Sequence, residues 1–213
     1  MKAILISAIS FFIVISSIYS QETKKIKLPQ PQTDIGKPLM QTLKLRQSSR
    51  EFNSKPLPLQ EISNLLWAAN GINRTESGKL TAPSAMNNQE TDIYVAMQSG
   101  VYIFNVKENC LDLVVNEDIR GLTGKQEFVK TAPVNLVYVS DFSKMGKANN
   151  EDKILYSAAD VGFIAENVYL YCASQGLSVV VRGSIDRGIL AKKLNLKAEQ
   201  KIILSQTIGF PKD

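Results

Sequence analysis

Histidine is absent from all 213 residues. That absence removes Ser-His-Asp and Cys-His nucleophilic machinery and every His-ligated metal site. Any chemistry must therefore rest on carboxylates, lysine, hydroxyls or a bound cofactor. Cysteine is scarce too, with only Cys110 and Cys172, the first near the start of a strand-like run and the second inside a helix-like run. The spacing and settings favour two buried free thiols over a disulfide. After residue 20 no second long apolar run occurs. Excess charge is also missing: of the 25 Lys and Arg, Lys2 falls in a leader-like segment, leaving 24 against 20 Asp and Glu, a net of +4. So small and scattered a balance implies no nucleic-acid partner.

The chain does carry Lys2 and then Ala3 to Ile18, almost wholly apolar, ending in Ile18, Tyr19, Ser20 before the polar Gln21, Glu22 and Thr23. This is the layout of a secretory signal peptide, and at about sixteen residues it falls short of the ~20 that span a bilayer. Residues 1–20 are therefore read as a signal peptide, with a periplasmic or extracellular product beginning near Gln21. Membrane contact would come only through that segment if it stayed uncleaved. No cysteine at the cleavage point marks a lipoprotein. Residues 21–37, polar and holding Pro29 and Pro31, are predicted to be a flexible tether. Residues 38–213 are long enough for one domain with a core.

Pro38 suits the first turn of a short helix with Leu39, Met40 and Leu43. Pro58 opens a second, whose Leu59, Ile62, Leu65, Leu66 and Ala69 recur at helical spacing, with Gly71 as a left-handed cap. From Ile72 to Gln89 there is no periodicity. Asp92–Met97 and Val101–Val106 read as a hairpin that Leu111–Val115 extends, and Val134–Val139 as a strand covered on both faces. Ile154–Gln175 is a helix apolar over most of its circumference, hence buried in a core or a subunit interface. A strand at Ser178–Val181, a helix from about Ile185 to Leu194 capped by Ser184, and a strand at Ile202–Ile208 follow. Helices mixed with a hairpin argue for an α+β fold.

Two clusters carry the chemistry. Arg46, Gln47, Ser48, Ser49 and Arg50 stand at a predicted helix exit, and guanidinium forks with a hydroxyl suit a phosphate monoester. A solvated helix end would also explain them. Pro83, Ser84, Ala85, Asn87 and Gln89 offer neutral amides able to complement the pyrimidine-like edge of a flat heterocycle, although turn chemistry alone also yields such residues. Arg182, Gly183 and Ser184 follow a strand and open a helix, where free backbone N–H groups occur. Gly121–Lys125 fails as a phosphate loop, because its glycines are too close and Gln126 replaces the required hydroxyl. Asp160, Glu166 and Glu61, each in a predicted helix without an obvious partner, are read as capping, surface or interface residues.

Arg-x-Ser-x-Arg-x-Phe at 46–52, Leu65–Asn70, and Ala-Pro-Ser-Ala-x-Asn-x-Gln at 82–89 resemble the nitroreductase family of FMN-dependent oxidoreductases. The similarity continues through Ala132-Pro133, Asp160-x-Gly162 with Glu166 and Asn167, Gln175-Gly176-Leu177, and Ile208-Gly209-Phe210-Pro211. It thus covers about residues 38 to 211. The resemblance implies a nitroreductase-like fold, a central, mostly antiparallel sheet flanked by helices, in an intertwined homodimer with FMN in each of two interface clefts. Carried over by position, Arg46, Ser48 and Arg50 would hold the ribityl phosphate, with Gln47 adding a contact. Pro83, Ser84 and Ala85 would reach the ring from the opposite protomer, with Asn87 and Gln89 beside it. Gly183 and Ser184, after Arg182, would offer N–H groups to the N5 and O4 side. The flavin would do the chemistry with no catalytic side chain, passing a hydride or electrons by ping-pong kinetics from a donor, NAD(P)H in the family, to a small nitroaromatic or quinone. A non-catalytic flavin carrier, or a dehydrogenase of peptide-derived heterocycles, are the alternatives. Two departures stand out: a basic pair common after the Gly-aromatic-Pro turn is here Lys212 and Asp213, with Lys212 as the substitute phosphate contact. The aromatic common after Asn-x-Gln is here Glu90, Thr91 and Asp92.

Overall fold

The computed structural model describes residues 25–212; the predicted signal peptide lies outside them. Seven strands form one sheet, antiparallel at every pairing. They are β1 (Lys25–Lys27), β4 (Thr91–Met97), β5 (Gly100–Asn105), β6 (Cys110–Val115), β7 (Val134–Asp141), β8 (Ser178–Arg182) and β9 (Gln200–Gly209), with β2 (Ile72–Arg74) and β3 (Lys79–Leu80) forming a separate ribbon. The order across the sheet is β1-β6-β5-β4-β7-β9-β8. Helices α1 (Leu39–Leu45), α2 (Leu59–Asn70) and α3 (Asn150–Gln175) precede β8, and α4 (Arg187–Lys193) follows it.

Alternation along β7 shows how the layers are made. Val134, Leu136 and Tyr138 enter the core that α2 and α3 share with one face of the sheet, through Leu65, Leu66, Val161 and Val168. Val137 and Val139 point the other way, into a second core closed by Ile185, Leu190 and Leu194 around α4. A strand with both faces covered must be apolar on both, as this one is. Burying a leucine such as Leu65 or Leu66 completely makes its truncation to alanine cost about 2–5 kcal/mol. Helix α3 starts earlier than its apolar run because Asn149 caps it, Oδ1 accepting from Asp152 N–H at 2.9 Å, with Glu151 and Asp152 in the favourable first turn. Cys110 and Cys172 are both free and buried.

Several expectations need correction. Residues 25–37 are not a tether: β1 pairs with β6, Leu28 is buried, Pro29 carbonyl accepts from Ser63 Oγ at 2.6 Å, and Lys37 Nζ donates to Ser174 carbonyl at 2.6 Å. Buried apolar contact and edge pairing outweigh the polar composition. Gly71 is not left-handed, with φ −80° and ψ 161°; it is needed because a Cβ there would sit 2.5 Å from the Trp67 ring. Residues 72–89, though without periodicity in sequence, form the β2–β3 ribbon and a tight turn at Ala85–Asn87. The helix after β8 is capped by Asp186, whose Oδ1 accepts from Ile189 N–H at 3.0 Å, and not by Ser184. Helix α3 buries one side in the core and leaves Ile154, Leu155, Tyr156 and Phe163 exposed in the single chain, which leaves open the subunit interface expected for it.

Candidate functional site

Helix α1 stops at Leu45, where Arg46 turns to ψ 121°, and the chain then runs extended beside β8, held by Ser49 N–H to Val179 carbonyl at 2.9 Å. The arginines are thus not one turn apart on a helix. Along an extended chain, alternate residues share a face. Arg46 lies over the Tyr169 ring at 5.4 Å, and Ser48 Oγ meets Tyr169 Oη at 2.9 Å. Ser49 faces the other way, its hydroxyl accepting from Ser178 Oγ at 3.2 Å. Gln47 also lies there, in a cavity of about 310 Å³ shared with Ser49, Val179 and Pro211. Arg46, Ser48 and Arg50 therefore belong to one side and Gln47 to the opposite one.

Tyr169 is the residue that sequence reasoning missed. Its Oη accepts the Val181 N–H at 2.9 Å and meets Ser48 Oγ at 2.9 Å, where either hydroxyl can donate. The pair holds Ser48 between two arginines in sequence that have no carboxylate partner among the described residues. On the apolar surface of α3, one tyrosine among its neighbours carries no distinguishing signal.

The second cluster sits elsewhere on α3. Ala85 N–H donates to Asp160 Oδ2 at 2.9 Å, so Asp160 is buried and bonded, contrary to the capping, surface or interface role expected for it. Glu61 likewise has a partner, Tyr171 Oη donating at 2.6 Å, whereas Glu166 is exposed. Asp160 and Tyr169 are nine residues apart, roughly 13 Å along the axis and about half a turn round it. One chain does not bring the two clusters to a single point. Within the second, Ser84 Oγ accepts from Gln89 N–H at 3.0 Å and Gln89 Nε2 donates to Gly78 carbonyl at 3.1 Å, while Pro83 and Asn87 are exposed.

Arg182 is committed to the interior. It is 5% exposed, its guanidinium donating to Thr123 carbonyl at 2.9 Å and Asn135 Oδ1 at 3.1 Å, with Phe128 alongside. Burial pulls its pKa down to about 10. The side chain expected beside the cofactor therefore braces β8 against β7 and the loop before it. Gly183 and Ser184 are exposed, and their backbone N–H groups have no partner among the described residues. Lys212 is exposed and makes no polar contact among them.

Comparison with known proteins identifies the family and the fold. The model of the "Nitroreductase family" matches residues 43–210. A Methanocaldococcus jannaschii protein named as a nitroreductase is 30% identical over 187 residues, covering 83% of this chain and 92% of the relative. A Ralstonia eutropha crystal structure, also named as a nitroreductase, superposes with a TM-score of 0.85 at 46% identity, covering 89% of this chain and 90% of that one. The fold alone is shared with the NADPH:FMN oxidoreductase of Vibrio harveyi complexed with NAD+, at a TM-score of 0.63, 21% identity, and coverage of 82% and 69%. Motif order, sheet topology and these matches converge: the chain belongs to the nitroreductase family and is an oxidoreductase.

Proposed function

We propose that the chain is an FMN-dependent oxidoreductase, working as a homodimer, that carries a hydride or electron pair from an NAD(P)H-type donor to a small conjugated acceptor such as a nitroaromatic or quinone. The observation that carries the reading is the one-sided array of Arg46, Ser48 and Arg50, with no carboxylate partner among the described residues to neutralise it. An FMN phosphate, with roughly −1.5 to −2 charges and three acceptor oxygens, fits that donor set. The unpartnered N–H groups of Gly183 and Ser184 fit the N5 and O4 side of the ring, and Asn87 and Gln89 fit its pyrimidine-like edge. Bound FMN would supply reversible two-electron chemistry. The protein's own residues bind and orient: the arginines neutralise, the Ser48 hydroxyl held beside Tyr169 adds a hydrogen bond, and the backbone donors fix the ring end. The NAD+ complex of the Vibrio harveyi protein supports the choice of donor.

The two clusters lie on opposite faces of α3, so two copies offering one each to a shared cleft would complete the site. Exposed Leu39, Met40 and Leu43 on α1, with Ile154, Leu155 and Phe163 on α3, support such an association. Export, read from residues 1–20, would put the reaction outside the cytoplasm; N-terminal sequencing of the exported fraction should then begin at Gln21.

The test is the absorbance spectrum of the purified protein, followed by FMN titration and turnover with NADH or NADPH and a quinone. Flavin bands and saturable binding are expected. A colourless protein that gains no such bands when mixed with FMN would overturn the reading.

A further inference from the structure

The segment Pro83–Gln89 is strained. Met86, Asn87 and Gln89 all take positive φ, at 53°, 55° and 47°, a region in which Met and Gln are rare. Such a conformation persists only where neighbours impose it. Ser84 Oγ holds Gln89 N–H inside the segment, and Asp160 of α3 holds Ala85 N–H from outside it.

Directly beneath lies Glu90, 0% exposed. Its Oε1 accepts from Thr91 Oγ1 at 3.3 Å, while its buried Oε2 finds no donor. Asp160 is buried as well, and the two residues line one small cavity with Asn70, Leu80 and Ile164. Two bare carboxylates sharing so small and dry a space repel strongly. A single shared proton would resolve both: Glu90 Oε2 would donate to Asp160, which keeps a lone pair for Ala85 N–H. The other packed elements bring no competing charge to the Glu90 carboxyl. Helix α2 presents Asn70, β4 presents Thr91, and β7 presents Ser140, bonded to Thr91 Oγ1 at 3.0 Å. Nearby Lys144 pairs with Asp92 at 3.2 Å, and Asp141 accepts from Ser143 N–H at 2.9 Å. Burial, and then Asp160, push the Glu90 carboxyl above its ordinary value.

We propose that Glu90 and Asp160 form a proton-sharing strut, with Glu90 the donor, that positions the Pro83–Gln89 segment for the flavin ring. The strut stands on the contacts just described, and only its effect on the ring rests on the FMN reading. The sign follows from folding: Glu90 holds its proton more tightly in the folded chain than in the unfolded one. Its contribution is complete below the ordinary carboxylate range and is lost as pH rises through the folded-state value.

The test uses the full chain, its Glu90→Gln variant and added FMN. In wild type, infrared difference spectra across pH should contain the carbonyl band of a protonated acid at neutral pH. Loss of that band at higher pH should coincide with faster amide exchange of residues 83–89, after correction for intrinsic rates. FMN affinity should fall over the same range by roughly five- to tenfold, the scale of one hydrogen bond. Glu90→Gln, which keeps a neutral donor, should lack the band and show tight, pH-flat exchange and binding, whereas Glu90→Ala should be weak throughout. A wild type without the band at neutral pH overturns the proposal, and that measurement needs no variant to fold. So does a Gln variant whose exchange follows the wild-type pH curve. If the band and the exchange behave as expected while FMN never binds, the strut stands and the flavin reading falls.

Discussion

Alanine substitutions at Arg46, Gln47 and Arg50 give the sharpest check on how the extended segment displays its side chains. Arg50 is exposed and without a carboxylate partner among the described residues, so its removal should change folding stability by no more than about 0.5 kcal/mol. Arg46 also loses its place over Tyr169 at 5.4 Å, worth about 0.5–1 kcal/mol at such a site. Each guanidinium would, however, give FMN a charge-assisted bond of about 1.5–3 kcal/mol. Single substitutions should thus weaken FMN roughly 10- to 150-fold with the fold nearly unchanged. Gln47 faces the cavity with Ser49, Val179 and Pro211, so its truncation should alter affinity less than about threefold. FMN fluorescence titration measures the binding, and thermal unfolding of the FMN-free protein controls for stability. Equal weakening by Gln47→Ala and Arg50→Ala would refute the alternation. A large loss of stability in Arg50→Ala would refute the claim that this cation has no internal partner.

Three further outcomes follow from the geometry. Gly124→Ala should destabilise by about 1–3 kcal/mol in urea titration, because its Cβ would fall 1.8 Å from Arg182 Nη1, itself locked between Thr123 and Asn135. Burial raises both cysteine thiols above their ordinary value, so native protein at pH 8 should react with an aromatic disulfide reagent far more slowly than urea-unfolded protein, which releases both. If the proposed homodimer uses the exposed apolar part of α3, Leu155→Asp, which places a charge there, should yield monomer in light scattering where wild type gives dimer, with little change in secondary structure by circular dichroism.

Most of the sheet was legible because its strands are strongly patterned. The β4–β5–β6 meander and the two-faced burial of β7 follow from alternation and apolarity that no helix could use. Local signals failed where tertiary contact decides. Residues 25–37 look like a linker by composition, yet Leu28 and the β1 pairing are long-range features. Ser184 suits a cap by residue type, but the helix begins two residues later and Asp186 caps it. At the site, residue types were readable while directions were not. Arg46, Ser48 and Arg50 were identifiable, but their separation from Gln47 needed the extended backbone, and Arg182 turned inward because Asn135 and Thr123 wait on neighbouring elements. Tyr169 meets Ser48, far along the chain, and so could not be singled out from its local sequence.

The ten residues of β9 come last in the chain yet lie between β7 and β8. Among the described residues strand β8 has no other strand neighbour, so the sheet stays split until β9 has been made. Until then, both flanking strands expose unsatisfied backbone to any other extended polypeptide. One late strand therefore closes two open edges in a single docking step.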